Sequence, residues 1–105
     1  MILTTTDEVP GRTIVETLGL VRGSSVRSAH LGHDMMAKLK NLVGGEVTEY
    51  TKLLAESREQ ALDRMVEEAR ARGAHAIVAL RFQSSDIGDD AAEMLAYGTA
   101  VRFKE

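Results

Sequence analysis

Residues 48–73 read TEYTKLLAESREQALDRMVEEARARG. Tyr50, Leu54, Ala61, Met65 and Ala69 recur at helical spacing, with Leu53, Leu62 and Val66 beside them, so the segment carries one apolar stripe. Thr48 suits an N-cap, Glu49 suits the positive first turn, and Arg70 and Arg72 suit the negative last turn. Gly73 stands where a helix closes in the left-handed conformation. A helix over Thr48–Arg72 would be about 37 Å long at about 1.5 Å per residue. A compact domain of about 100 residues is only about 33 Å across. A helix of that length spans its domain, and a sister subunit is the simplest support for its ends.

Strands flank this helix. Downstream, Met94–Phe103 (MLAYGTAVRF) alternates, with Leu95, Tyr97, Thr99, Val101 and Phe103 on one face and Met94, Ala96, Gly98 and Ala100 on the other. Both faces are largely apolar and both need a cover. Helices can supply one cover, and a subunit interface can supply the second. Ala76–Gln83 (AIVALRFQ) is another strand, and Ser84–Ala92 reads as a polar loop. Upstream, Ile2–Thr5 is a short edge strand, Pro10-Gly11 marks a turn, and Thr13–Val21 is a strand that stops before Gly23-Ser24-Ser25. Ser28–Leu42 places Leu31, Met35, Leu39 and Leu42 on one helical face, and Gly44-Gly45 ends that helix. The result is one α+β domain over residues 1–105, with strand, helix, long helix, strand and strand in two layers.

Composition narrows the function. The 105 residues carry a formal net charge of −3 with no basic block, which disfavours nucleic-acid binding. There is no cysteine, so disulfides, thiol catalysis and Cys-ligated metal sites are excluded. The N-terminal residues do not form a signal peptide, and no run approaches a membrane span. The expectation is a cytoplasmic protein without membrane or nucleic-acid partners.

Several short motifs, in order and spacing, resemble the YbjQ-like family. They are Thr13-Ile14-Val15-Glu16 with Gly19 and Gly23; Val43-Gly44-Gly45-Glu46 with Tyr50; Ala55-Glu56-Ser57-Arg58-Glu59-Gln60-Ala61; Gly73-Ala74-His75-Ala76-Ile77-Val78; and Tyr97-Gly98-Thr99-Ala100-Val101. The resemblance runs from about Ile2 to Phe103. It implies a dodecin-subunit-like two-layer α+β fold, with a small antiparallel sheet packed on a long helix. It also implies a ring, a homopentamer in which extra short strands join neighbouring subunits. Some members carry a heavy-metal-binding label, and the family brings no established activity. His75 is a departure, since the family usually has Asp or Asn there.

Two groups of residues are candidate sites. His30 and His33 are an i, i+3 pair with Asp34 adjacent, a donor set that zinc, nickel or copper accepts, and His75 is the remaining histidine. A divalent metal is the cofactor this reading implies; solvent-facing or capping histidines are the plainer reading. The second group is Glu16, Asp34, Arg58, Glu59 and Arg81, charges on strands and helices that match the family pattern. They suit a network of ion pairs within or between subunits. They also suit a small-molecule pocket between subunits, with Arg58 or Arg81 holding an anion and Glu59 or Asp34 accepting a proton. Gly44-Gly45 lacks the Lys-Ser/Thr ending of a phosphate loop, and no Ser-His-carboxylate set or dinucleotide fingerprint is present. The sequence therefore reads as a homo-oligomeric protein, structural or ligand-binding rather than catalytic, with the metal site and the inter-subunit enzyme as alternatives.

Overall fold

The computed structural model describes residues 1–28, 48–87 and 91–105. In chain order the elements are β1 (Ile2–Leu3), β2 (Ile14–Ser28), α1 (Thr48–Ala71), β3 (Ala76–Ile87) and β4 (Ala91–Phe103). They form one four-stranded sheet in the order β1-β3-β4-β2 with α1 across one face. The α+β layering is as expected. The expected Ser28–Leu42 helix lies outside the described residues, apart from Ser28, which ends β2. The Gly44-Gly45 turn lies outside them too.

The sheet is mixed rather than wholly antiparallel. β1 runs parallel to β3, pairing Ile2 with Ala76 and Leu3 with Ile77, while β2–β4 and β3–β4 are antiparallel. The reason is the path of the N-terminal segment. β1 sits at one edge and β2 at the other, so residues 4–13 must cross the sheet face that α1 leaves open. Val9 and Ile14 then pack on Ala76, Val78, Val101 and Phe103. The chain thus covers one end of its second face itself, where the sequence suggested a subunit interface.

Both long strands outrun their expected ends. β2 continues through Gly23-Ser24-Ser25 to Ser28, and the supposed loop Ser84–Ala92 is mostly strand: Ser84 pairs with Met94, Ser85 with Glu93 and Asp86 with Ala92. Ser84 and Ser85 are exposed, while their backbone still pairs with β4. The 15 residues of β2 span about 50 Å at about 3.3 Å per residue, against about 36 Å for the 24 residues of α1. The strands, not the helix, therefore set the length of the molecule, 55 Å along its principal axis.

The helix closes as its sequence suggests. Gly73 has φ +76°, its N–H donates to Arg70 O at 2.9 Å, and the Ala74 N–H donates to Ala69 O at 3.0 Å. That is the paired-bond C-terminal motif glycine permits. The stripe of α1 meets the sheet as predicted: Ala61, Met65 and Ala69 pack with Val21, Ile77, Leu80, Ala96 and Ala100, all buried. Gly98 serves close packing, because a Cβ there would stand 2.6 Å from the Ile77 Cγ2.

Candidate functional site

The described charged candidates do not meet within one chain. Glu16 on β2 faces Arg102 on β4, with Oε2 3.7 Å from Nε, an exposed ion pair. Arg81 on β3 lies in register with Tyr97, five residues along β4 from Arg102, which is about 16 Å of strand. Arg58 and Glu59 are exposed on α1 while their neighbours Ser57 and Ala61 face the sheet. Glu16 thus sits in an ion pair, and Arg81 has a different local task. Its Nη1 donates to Thr5 O and Leu80 O, both at 2.8 Å, tying the crossing segment to β3.

His30, His33 and Asp34 lie outside the described residues. Among the described residues no three His, Asp or Glu side chains are grouped to hold a metal ion. His75 is placed for packing. Its Nδ1 accepts the Phe103 N–H at 2.9 Å, and its ring stacks on Phe103 with centroids 6.0 Å apart. The Arg12 guanidinium covers the same Phe103 ring, 4.5 Å from its centroid. Together these close the end of the sheet under the crossing segment.

The two edges of the sheet differ. Along β2, the carbonyls of Leu18 and Leu20 accept the Arg72 Nη1 at 3.2 and 2.9 Å, and the carbonyl of Ser24 accepts the Arg64 Nη1 at 2.6 Å. Arg72 is held in turn by Glu68 at 2.9 Å. Arginines of α1 therefore occupy acceptors of an edge strand, a device that blocks pairing with a foreign strand. Along β3, β1 covers only Ala76 and Ile77, and residues 4–6 carry the cover a little further: the Thr4 N–H donates to Ile77 O, the Ala79 N–H to Thr6 O and the Leu80 N–H to Thr4 O. From Arg81 onward, no described strand lies on the outer side of β3. Residues 81–85 are exposed in succession, and Phe82 is 42% exposed. Phe82 pairs with the buried Ala96, so it lies on the helix side of the sheet, yet it remains exposed. Sequence reading missed this edge because Ser84–Ile87 looked like a loop. The alternation of Leu80, Phe82 and Ser84 was its only signal.

Comparison with known proteins gives a consistent picture. A family model described as "Putative heavy-metal-binding" (YbjQ) matches residues 1–104. The chain is 57% identical over 105 residues to a UPF0145 protein of Fervidobacterium nodosum, covering 100% of this chain and 97% of the relative. It is 53% identical over 103 residues to one of Methanosarcina acetivorans, covering 98% and 97%. It is 51% identical over 105 residues to one of Vibrio parahaemolyticus, covering 100% of both. A crystal structure of a Pediococcus pentosaceus protein, described as of unknown function in the DUF74 family, superposes with a TM-score of 0.69 at 16% identity. That match covers 99% of this chain and 98% of the other, and it concerns the fold.

Proposed function

Since the chain belongs to the YbjQ family, we propose that it is a ring-forming homopentamer, structural or ligand-binding rather than catalytic, whose subunits join along the outer edge of β3 from Arg81 to Ile87. The observation that carries this reading is the asymmetry of the edges. Acceptors of β2 are occupied by Arg64 and Arg72, whereas from Arg81 onward no described strand pairs with the outer side of β3, where the ring of Phe82 is half-open. A strand offered by a neighbour to this edge makes a head-to-tail contact, and repeating that contact closes a ring when the rotation permits. The number five follows the family resemblance, as does the dodecin-like subunit form.

Elongation supports the same reading. The Cα radius of gyration is 17.2 Å, against about 13 Å for a compact domain of about 100 residues.

Light scattering on a size-exclusion column tests it. The expected mass is about 57 kDa, five times the 11.4 kDa chain, and Phe82→Asp is expected to lower it. A single species of 11.4 kDa at micromolar concentration overturns the reading.

A further inference from the structure

The part of the outer sheet face that the crossing segment leaves open carries one row of unusual chemistry. Arg22 on β2, Tyr97 on β4 and Arg81 on β3 are direct cross-strand partners. Their neighbours fix the side on which they stand. Val21 and Gly23 face α1, as do Ala96 and Gly98, so Arg22 and Tyr97 point the other way, and Arg81 shares their side through its register with Tyr97. The two arginine Cα atoms are two strand spacings apart, about 10 Å, with the tyrosine between them.

Among the described residues this pair of cations has no ion-pair partner. The ion pairs among the described residues use Arg27, Arg72 and Arg102, and none uses Arg22 or Arg81. Arg22 has no hydrogen-bond partner among the described residues. Arg81 spends only Nη1, on two carbonyls, leaving its Nη2 and Nε donors. The outward carboxylate on β4 is Glu93, four residues from Tyr97, or about 13 Å. Two like charges flanking an aromatic ring repel each other until an anion enters between them. Guanidinium groups match phosphate oxygens in bidentate geometry, and a tyrosine face accepts a flat ring. Leu95 beside Tyr97, and Leu20 one row away at 58% exposure, extend the apolar floor.

We propose that Arg22, Tyr97 and Arg81 form a binding site for a mononucleotide-sized anion, its phosphate between the two guanidinium groups and its flat ring on Tyr97. The site goes beyond the assembly reading: it shares Arg81 with the β3 edge, while Arg22 and Tyr97 stand on the outer sheet face away from that edge.

Isothermal titration with adenosine monophosphate and with inorganic phosphate tests it, with the oligomeric mass followed in parallel. Adenosine monophosphate binds at least roughly tenfold tighter than inorganic phosphate, and Tyr97→Ala abolishes that advantage while sparing phosphate binding. Arg22→Gln weakens both probes by roughly tenfold or more. Arg81 also holds the Thr5 carbonyl, so Arg22→Gln, which removes no contact of the described fold, is the decisive variant. Arg70→Gln, at the exposed end of α1, leaves both affinities unchanged. Absence of binding at millimolar probe overturns the proposal, as does binding indifferent to Arg22→Gln. A change of mass in Arg22→Gln with no change in probe affinity overturns it as well, and assigns Arg22 to a subunit interface.

Discussion

Gly23 of β2 and Ala61 of α1 approach so closely that a Cβ on the glycine would stand 2.2 Å from the Ala61 carbonyl oxygen. It would also stand 2.4 Å from the Met65 nitrogen and 2.8 Å from the Arg64 Cβ. Those atoms are helix backbone and the root of a side chain, so none can step aside without moving α1. Gly23→Ala is therefore expected to destabilise the fold by about 3 kcal/mol or more, at the upper end of overpacking costs. A fall in Tm of about 10 °C or more follows for a chain of this size. Thermal unfolding by circular dichroism at fixed protomer concentration checks it; a Tm within a few degrees of the parent would show that the helix can lift without cost.

Beneath the same helix, the buried Ser25 Oγ donates to the Gln60 Oε1 at 2.7 Å. Ser25→Ala leaves that oxygen without its donor at a cost of about 1–3 kcal/mol. Ser25→Ala combined with Gln60→Leu should lose less than the two single changes added together, since the orphaned group is then gone. The Arg27–Glu56 pair at 3.7 Å is largely exposed, so cutting it should change stability by about 0.5 kcal/mol or less. Urea titration of the four variants measures the contrast, and equal losses at the buried and exposed pairs would contradict it.

Arg72 protects an edge more than it stabilises a helix. With its guanidinium on the Leu18 and Leu20 carbonyls, β2 offers fewer acceptors to a foreign strand. Arg72→Ala should raise the rate of aggregation and speed amide exchange along β2, while Arg70→Ala, two residues back on the same helix, should change neither. Light scattering during incubation and hydrogen exchange by mass spectrometry read these two effects. Matching behaviour of the two variants would remove the protective role.

Ala79 carries φ +53° at the register shift between Val78 and Arg81. Left-handed backbone costs an alanine about 1–2 kcal/mol, whereas glycine in its place loses about 0.5–1 kcal/mol of unfolded-state entropy. Ala79→Gly is expected to be neutral or stabilising by up to about 1 kcal/mol, and Ala79→Val destabilising by about 1–3 kcal/mol. Chemical denaturation midpoints decide the order. A glycine variant less stable than the valine variant would contradict the strain argument.

Legibility followed the kind of interaction. The α1 stripe, the Gly73 cap and the two faces of β4 could be read directly, because each depends on spacing within one segment. Gly23 misled, since a glycine that stops a strand and one that admits a helix look the same in a line of letters. Ser84–Ile87 misled in the opposite sense: exposed strand and loop share polar residues, and only the partners on β4 separate them. The crossing segment was hidden for a related reason. Nothing local to Val9 or Arg12 announces that Phe103, some ninety positions later, will lie beneath them. Of the candidate residues, Glu16 and Arg81 were recognised as charges needing partners, but their separate partners, Arg102 and the Thr5 and Leu80 carbonyls, lie on other segments or in backbone geometry.

The amino-acid order alone determined an α+β chain of the YbjQ kind, with one long amphipathic helix that ends at Gly73 and a final strand with two apolar faces. The helix and the strand rest on propensity and periodicity, which act between near neighbours; the YbjQ kinship rests on the resemblance of ordered motifs. Tertiary structure decided that β1 runs parallel to β3, that residues 4–13 seal one end of the outer face, and that arginines block one sheet edge while no described strand pairs with the other beyond Leu80. It also set Arg22, Tyr97 and Arg81 in one row. These depend on cross-strand register between residues far apart in the chain, such as Arg22 and Tyr97, 75 residues apart, and register is a property of the assembled sheet rather than of any stretch within it.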